Sequence, residues 1–572
     1  MKPIIVVHIK TERKKLIRLI CLKKGLHYLK AFASVISVVI LLASCSEKQL
    51  DITPTDKLSD ATVWADSSTA KLFLNDIYNS LNAGPYGSSW LNIPTQIGND
   101  PLDNYTDNTV SGPVAGIPSH QLFDNDSYGP SNLLFNNTWK NMYAYIRKCN
   151  LFITKVSATD FVEGTKKNMI AQARFLRAYF YKTLVDLYGG VPLITKVLDN
   201  NTQGDSIFYA RNSYEECVSF IKSECEAAAQ DLPQQWSGQD VGRATWGAAM
   251  AMKGEAALYA GQWQEAAQTN EAIIQSNLYT LYPDYAGLFY QDHENNQEVI
   301  FDIQFAPVLR PIHTNQYWGA IWAKKGTGWG GSCPSQNLVD EYEFIDGKTA
   351  AEGSAYYDPA HPYDHRSKRF YASVLYDGCQ WQGNTYYTRL GIPNNYNEFT
   401  SSISGNGNPT GYGLKKLLDS TIAPTPGNLD GRNFIVFRYA EILLNYAEAQ
   451  NEVSGPGDSV YEAINKIRER AGLPDLPAGL SQAEMRARIR HERRVELAFE
   501  GKRFYDIWRW KTADGIFKNP IYGMKITEEN GSLHYERVPV RNVVFDASKN
   551  YLMPIPQYAM DQNPKLTQNS GY

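Results

Sequence analysis

Four rings fall within thirteen positions of QYWGAIWAKKGTGWGG, residues 316–331: Tyr317, Trp318, Trp322 and Trp329. Glycines separate them, which predicts a loop. Flat rings held on a loop can stack on the apolar face of a sugar, while polar neighbours fix its hydroxyls. The same rings can also plug a loop against its scaffold. A second set stands earlier, where Trp90 lies with Tyr86, Asn99, Asp100 and Tyr105 in a stretch rich in Gly, Pro, Asn and Asp. The expected ligand-binding residues are Trp90, Asn99, Tyr317, Trp318, Trp322 and Trp329. Gly326, Gly328 and Gly331 match GxGxxG, but no strand–helix context surrounds them, so a dinucleotide site is not expected.

Other reactive constellations read as structural. HERRVELAFEGKRFYDIWRW, residues 491–510, places Arg493–Glu496, Glu500–Arg503 and Asp506–Arg509 at i,i+3, the spacing of ion pairs that lock helices. His491-Glu492 lacks the second His of HExxH, which excludes a zincin. Cys149, Cys217, Cys225, Cys333 and Cys379 form no CxxC motif. Cys217 and Cys225, if helical, lie about 12 Å apart along the axis, too far to bridge. These cysteines are expected to be buried small hydrophobes. No catalytic residue, metal or cofactor is expected. A glycosidase would need two positioned carboxylates, and their separation is set by the fold.

Residues 1–30 carry nine Lys or Arg against Glu12 alone, and 31–44, AFASVISVVILLAS, carry no charge. Fourteen residues reach about 21 Å as a helix, short of the roughly 30 Å hydrocarbon core. This pattern is an export signal. Leu42-Ala43-Ser44-Cys45 resembles a bacterial lipobox, in which the cysteine becomes the new N-terminus and takes acyl chains. Two or more chains anchor stably. Removing residues 1–44 leaves 47 basic and 59 acidic side chains, a formal charge of −12. That acidity excludes nucleic acid as an expected partner.

Residues 46–60 lack periodicity and read as a tether. Helical spacing follows at 68–82, with Leu72, Phe73, Ile77, Tyr78 and Leu81 on one face, and returns at 139–156, 169–190 and from Ser213, where Glu216 completes a capping box. Tyr259-x-Gly261-x-Trp263-x-x-Ala266-Ala267 resembles a tetratricopeptide unit, and residues 437–473 repeat the plan with Ala463. Such units bury their apolar face only by stacking. The expected fold is mainly α: a helical scaffold at 61–284 and 436–510, an irregular ligand-facing insertion at 285–435, and a C-terminal arm at 511–572.

RFLRAYFYKTLVDLYGGVPLI, GRATWGAAMAMKGEAALYAG, FRYAEILLNYAEAQNE, RRVELAFEGKRFYDIWRW and YLMPIPQYAMDQNPKLTQNSGY, with the lipobox, together resemble the SusD/RagB family of outer-membrane lipoproteins. The resemblance implies about four tetratricopeptide-like helix pairs and a glycan-binding, non-hydrolysing protein anchored to the outer membrane through Cys45. The resemblance further implies that it faces the cell exterior and hands oligosaccharides to a SusC-like TonB-dependent transporter. Alternatives are a binder of peptides or another nutrient, an anchored glycosidase, and a scaffold for other proteins.

Overall fold

The computed structural model describes residues 60–81, 96–97, 100–112, 118–135, 137–307, 309–321, 328–400, 407–424 and 430–572. Cys45, Trp90, Asn99 and Trp322 lie outside the described residues, as do the expected leader and most of the tether. The chain divides into two units, Met1–Ala65 and Asp66–Tyr572. A short helix, Asp60–Val63, belongs to the first, and the elements that follow belong to the second.

The fold is mainly helical. α1 (Ser67–Asn79) buries Ala70, Leu74 and Ile77, while Leu72, expected on that face, is 56% exposed. Then come α2 (Thr138–Ser157), α3 (Glu163–Tyr188), α4 (Tyr214–Asp231), α5 (Trp246–Tyr259) and α6 (Trp263–Gln275). Beyond the insertion lie α7 (Tyr439–Ser454), α8 (Asp458–Arg470), α9 (Gln482–Glu496) and α10 (Lys502–Arg509). Each helix from α2 to α7 packs on the next, and α7 also packs on α8 and α9. α6 therefore meets α7 across the whole insertion. Small side chains make that approach possible: Ala257, Ala266, Ala267 and Ala449 form one buried cluster with Leu258, against which Trp263 and Tyr259 pack. The capping box at Ser213 and Glu216 starts α4 as expected.

Short ladders organise the rest. β1 (Thr109–Ser111) pairs antiparallel with β3 (Ser332–Pro334), and β2 (Val299–Ile303) with β4 (Phe434–Arg438). The second ladder ties the two ends of the insertion together. Residues within the expected C-terminal arm form a long hairpin, β5 (Ile521–Glu529) and β6 (Ser532–Arg541). Its turn is Asn530-Gly531, both at positive φ, the dipeptide that a tight hairpin favours. The terminal residues pack on the body, with Tyr572 Oη donating to Leu552 O at 3.1 Å.

Charge fills the centre of the second half. Arg369, Lys416, Arg438, Arg468 and Arg470 face Glu298, Glu343, Glu492, Glu496 and Glu500 in one connected network. Arg438 alone bonds Glu298 Oε1 at 2.8 Å, Glu496 Oε1 at 2.7 Å and both Glu500 oxygens. Burial would raise the Glu496 carboxyl, but Arg470, Arg438, Arg369 and Lys416 hold it down to about 2. Of the three i,i+3 pairs expected at 493–509, Asp506–Arg509 forms, at 2.9 Å. Arg493 instead reaches Asp506, at 3.1 Å, and Arg503 reaches Asp107, at 3.0 Å. The reason is local: α9 ends at Glu496, and Phe499 and Gly501 take positive φ before α10 starts.

We predict that Arg438→Ala lowers stability by about 3–5 kcal/mol, because it strands several buried carboxylates. Denaturant unfolding measures this, and an unchanged midpoint would show that the network is dispensable.

Candidate functional site

The early loop is held by the charged corner between α9 and α10. Asp103 accepts the Gly501 N–H at 3.0 Å and the Phe499 N–H at 3.2 Å. Asp107 sits between Arg494, at 2.8 Å, and Arg503. Burial works against its charge, yet those two guanidiniums hold its carboxyl down to about 2. The charges read as structural in the sequence thus also place the loop that leads into β1.

β1 then receives the insertion. Asn104 is fully buried and works at both chains of the junction: its Nδ2 donates to Gly331 O at 3.1 Å, and its Oδ1 accepts from Thr109 and Ser332. Ser335 N–H donates to Asn108 O at 2.8 Å. The two regions expected to face ligand are therefore joined where the structure describes them.

The glycine-rich loop doubles back over a short helix, Thr314–Trp318. Gly330 N–H donates to Gly319 O at 2.9 Å and Gly331 N–H to Tyr317 O at 2.7 Å. A Cβ on Gly112 would lie 1.7 Å from Gly330 O, and Gly330 itself has φ +57°. Glycine is needed at both positions, for close approach and for the left-handed backbone. Gly331 leads directly into β3, not into a helix, which removes the dinucleotide reading.

This folding-back corrects two expectations. Tyr317 is 4% exposed and Trp318 2% exposed. Rings so deeply buried offer little face to a sugar. Trp329 is half-buried and lies on Tyr317, ring centres 4.3 Å apart. Trp329 is thus the expected ring that the structure leaves at the surface of the loop; Trp90, Asn99 and Trp322 lie outside the described residues.

Side chains that sequence reading missed hold the loop in place. Asn397 clamps Ile321 through both its N–H and its carbonyl, at 3.0 and 2.9 Å. Asn315 Nδ2 donates to the Asp419 and Ile422 carbonyls, and Gln382 Nε2 to Ile422 O at 2.9 Å. Arg432 is buried against Asp430, Asn315 and the Leu417 carbonyl. Isolated Asn and Gln residues have no period, so only the fold reveals them.

Two other arrangements were candidates for chemistry. Glu343, His491 and Glu492 bring ligand atoms within 4.8 Å of one another. Arg369 and Arg468 already neutralise both glutamates there, so the cluster is saturated by cations. A cavity of about 80 Å³ lies between α3, α5, β4 and α10, lined by Lys182, Asp186, Glu255 and Lys502. It is far below the roughly 300–1,000 Å³ of ligand pockets.

Residues 297–572 match the model of the SusD family, and residues 94–255 match one described as starch-binding associating with outer membrane. The chain belongs to the SusD family. A SusD-like protein of Formosa agariphila is 25% identical over 94% of this chain and 99% of its own length. The crystal structure of a SusD-like protein from Bacteroides fragilis superposes with a TM-score of 0.77 at 28% identity, covering 91% of this chain and 100% of that one. A SusD-like carbohydrate binding protein from the same species superposes with a TM-score of 0.74 at 27% identity, covering 88% and 100%.

The base of this SusD-family insertion is electrostatically unusual. Burial raises the Glu294 carboxyl to about 7, against the Asn433 N–H bond and with help from the Asp302 charge. Burial raises Asp302 to about 6, against bonds from Gln304 and Asn433. For Glu294 the folded value exceeds the ordinary glutamate value of 4.5, so its favourable contribution is full below the unfolded value and is lost as pH rises through about 7. We predict that Glu294→Gln, which stays neutral, melts higher than the parent at pH 8 and no higher near pH 4. Melting curves across that range decide; a difference independent of pH would count against the raised carboxyl.

Proposed function

We propose that this chain is a cell-surface, lipid-anchored glycan-binding protein. It captures oligosaccharides and passes them to a SusC-like TonB-dependent transporter in the outer membrane. It binds glycans and does not hydrolyse them. The observation that carries the reading is the match to a SusD-like carbohydrate binding protein over 88% of the chain. The Trp329 ring, standing where the insertion meets the early loop, supports a stacking contact to sugar. Trp90, Trp322 and Asn99 are proposed to complete that surface, and Cys45 to carry the acyl chains.

The test is a glycan array on the full-length chain in detergent, followed by calorimetry on the best ligand. Trp329→Ala is expected to weaken binding by about 1–3 kcal/mol, by analogy with base–aromatic stacking, or roughly ten- to hundredfold. Stacking involves little charge, so binding should survive high salt. Trp318→Ala, which empties a buried site, should mainly lower thermal stability. Normal binding by Trp329→Ala would move the site elsewhere, and release of reducing sugar from the ligand would favour an anchored glycosidase.

Attachment has its own test. Cys45→Ala should lose its acyl chains and leave the membrane fraction on cell lysis, since anchoring by this route needs the thioether-linked lipid. Retention of the variant in salt-washed membranes would refute the anchor.

A further inference from the structure

A second opening lies away from the aromatic loop. It is a pocket of about 250 Å³ between α1, the 239–243 loop and the segment leaving β2, lined by Asn75, Tyr78, Gln239, Arg243, Gln304 and Arg310 among others. Arg310 is half-buried there. Its guanidinium donates to Asn79 O at 3.3 Å and leans on the Phe305 ring at 5.9 Å. A two-way backbone bridge to Ala306, 2.9 Å each way, fixes its position in the chain.

What Arg310 lacks is a counter-ion. Among the described residues no carboxylate pairs with it. Burial pushes its pKa down to about 10, and no neighbouring charge contributes. Arg366 is also without a carboxylate, yet the Pro362, Val339 and Tyr342 carbonyls satisfy it and the Phe344 ring covers it at 4.1 Å. Arg310 has one carbonyl and an open side. A guanidinium carries five N–H donors in a planar fork, so most of its donors are unspent.

The pocket's other charges leave it net positive. Arg243 is tied to Asp240 at 2.6 Å, and Lys71 pairs with the same carboxylate at 2.7 Å. The Asp302 carboxylate is occupied by the Gln304 and Asn433 amides. Of the charged residues that line the pocket, Arg243 and Arg310 thus face one carboxylate, Asp302, which is already bonded.

We infer that this pocket seats an anionic group carried on a sugar, a carboxylate or a sulfate, with Arg310 as its main donor. The inference rests on the glycan-binding reading for the sugar; capture of the anion by Arg310 stands apart from it. Arginine suits such oxyanions because its fork bonds two oxygens at once, and charge-assisted bonds of this kind are about twice as strong as neutral ones. The amides of Asn75, Gln239 and Gln304 line the same opening and suit hydroxyls of the same ring.

The test titrates the full-length chain in detergent with two matched pairs: trigalacturonic acid with its methyl ester, and a sulfated galactotriose with its desulfated form. At least one acidic member should bind about tenfold or more tightly than its neutral partner. Arg310→Gln should bring the two to the same affinity, and Arg310→Lys should keep part of the difference. The pair that shows the preference identifies the group as carboxylate or sulfate. Equal binding within both pairs, a preference for the neutral members, or an Arg310→Gln variant that keeps the acidic preference overturns the inference and leaves glycan binding standing. If no saccharide binds, the glycan reading falls, and inorganic sulfate decides the pocket. Sodium sulfate should then raise the melting temperature, over sodium chloride at equal ionic strength, more in the parent than in Arg310→Gln. An equal rise in both overturns the anion pocket as well.

Discussion

A balanced set of buried charges governs how the second half of this protein assembles. Arg369, Lys416, Arg438, Arg468 and Arg470 are matched by Glu298, Glu343, Glu492, Glu496 and Glu500. Each buried ion carries a desolvation penalty of several kcal/mol that only its partners offset. The partners come from the residue before β2, the rest of the insertion, β4, α8, α9 and the turn after α9. None of these segments can bury its charges alone, so they must come together as a set. The network contributes little net attraction on this argument; its effect is to penalise every arrangement that leaves a charge unmatched.

That constraint explains how a stretch of some 150 residues without helical period becomes a fixed surface. The β2–β4 ladder closes the insertion at its base, and Arg438, the last residue of β4, enters the network. The early loop is caught by the same corner of the molecule through Asp103 and Asp107. Between these anchors there is little ladder to satisfy backbone groups. Asn104, Asn315 and Asn397 take over that role, each bonding backbone carbonyls or N–H groups of a neighbouring segment. Buried backbone polar groups must be paired with something, and an amide side chain offers both a donor and an acceptor.

The interior and the pocket beside α1 differ in how charge is used. Inside, every cation of the network meets carboxylates at bonding distance, which leaves nothing to offer a ligand. Beside α1, Arg310 is held by a carbonyl and a ring and meets no carboxylate of the described residues. The proposed stacking surface at Trp329 would be a third case, where contact is largely apolar. A ligand reading both surfaces would be chosen by shape at one and by charge at the other.

Much of the scaffold was legible in the sequence. Helical period, the Ser213–Glu216 cap and the small residues at 266 and 267 placed α4 to α8, because these signals act within a few residues of one another. The hairpin that turns at Asn530-Gly531, inside the expected C-terminal arm, was not anticipated and came from the structure. Composition also found the glycine-rich loop and its rings. It did not decide which rings face outward. Tyr317 and Trp318 are buried because the loop folds back through backbone contacts at Gly319, Gly330 and Gly331, and those contacts depend on where the chain goes next. The charged segment shows the same division. Spacing identified charges suited to pairing, and the break between α9 and α10 sent Arg503 to Asp107, 396 positions away in the chain. Local sequence determined which groups needed partners. Only the tertiary structure decided which partners they found, because a buried charge is satisfied by whatever the fold brings within reach.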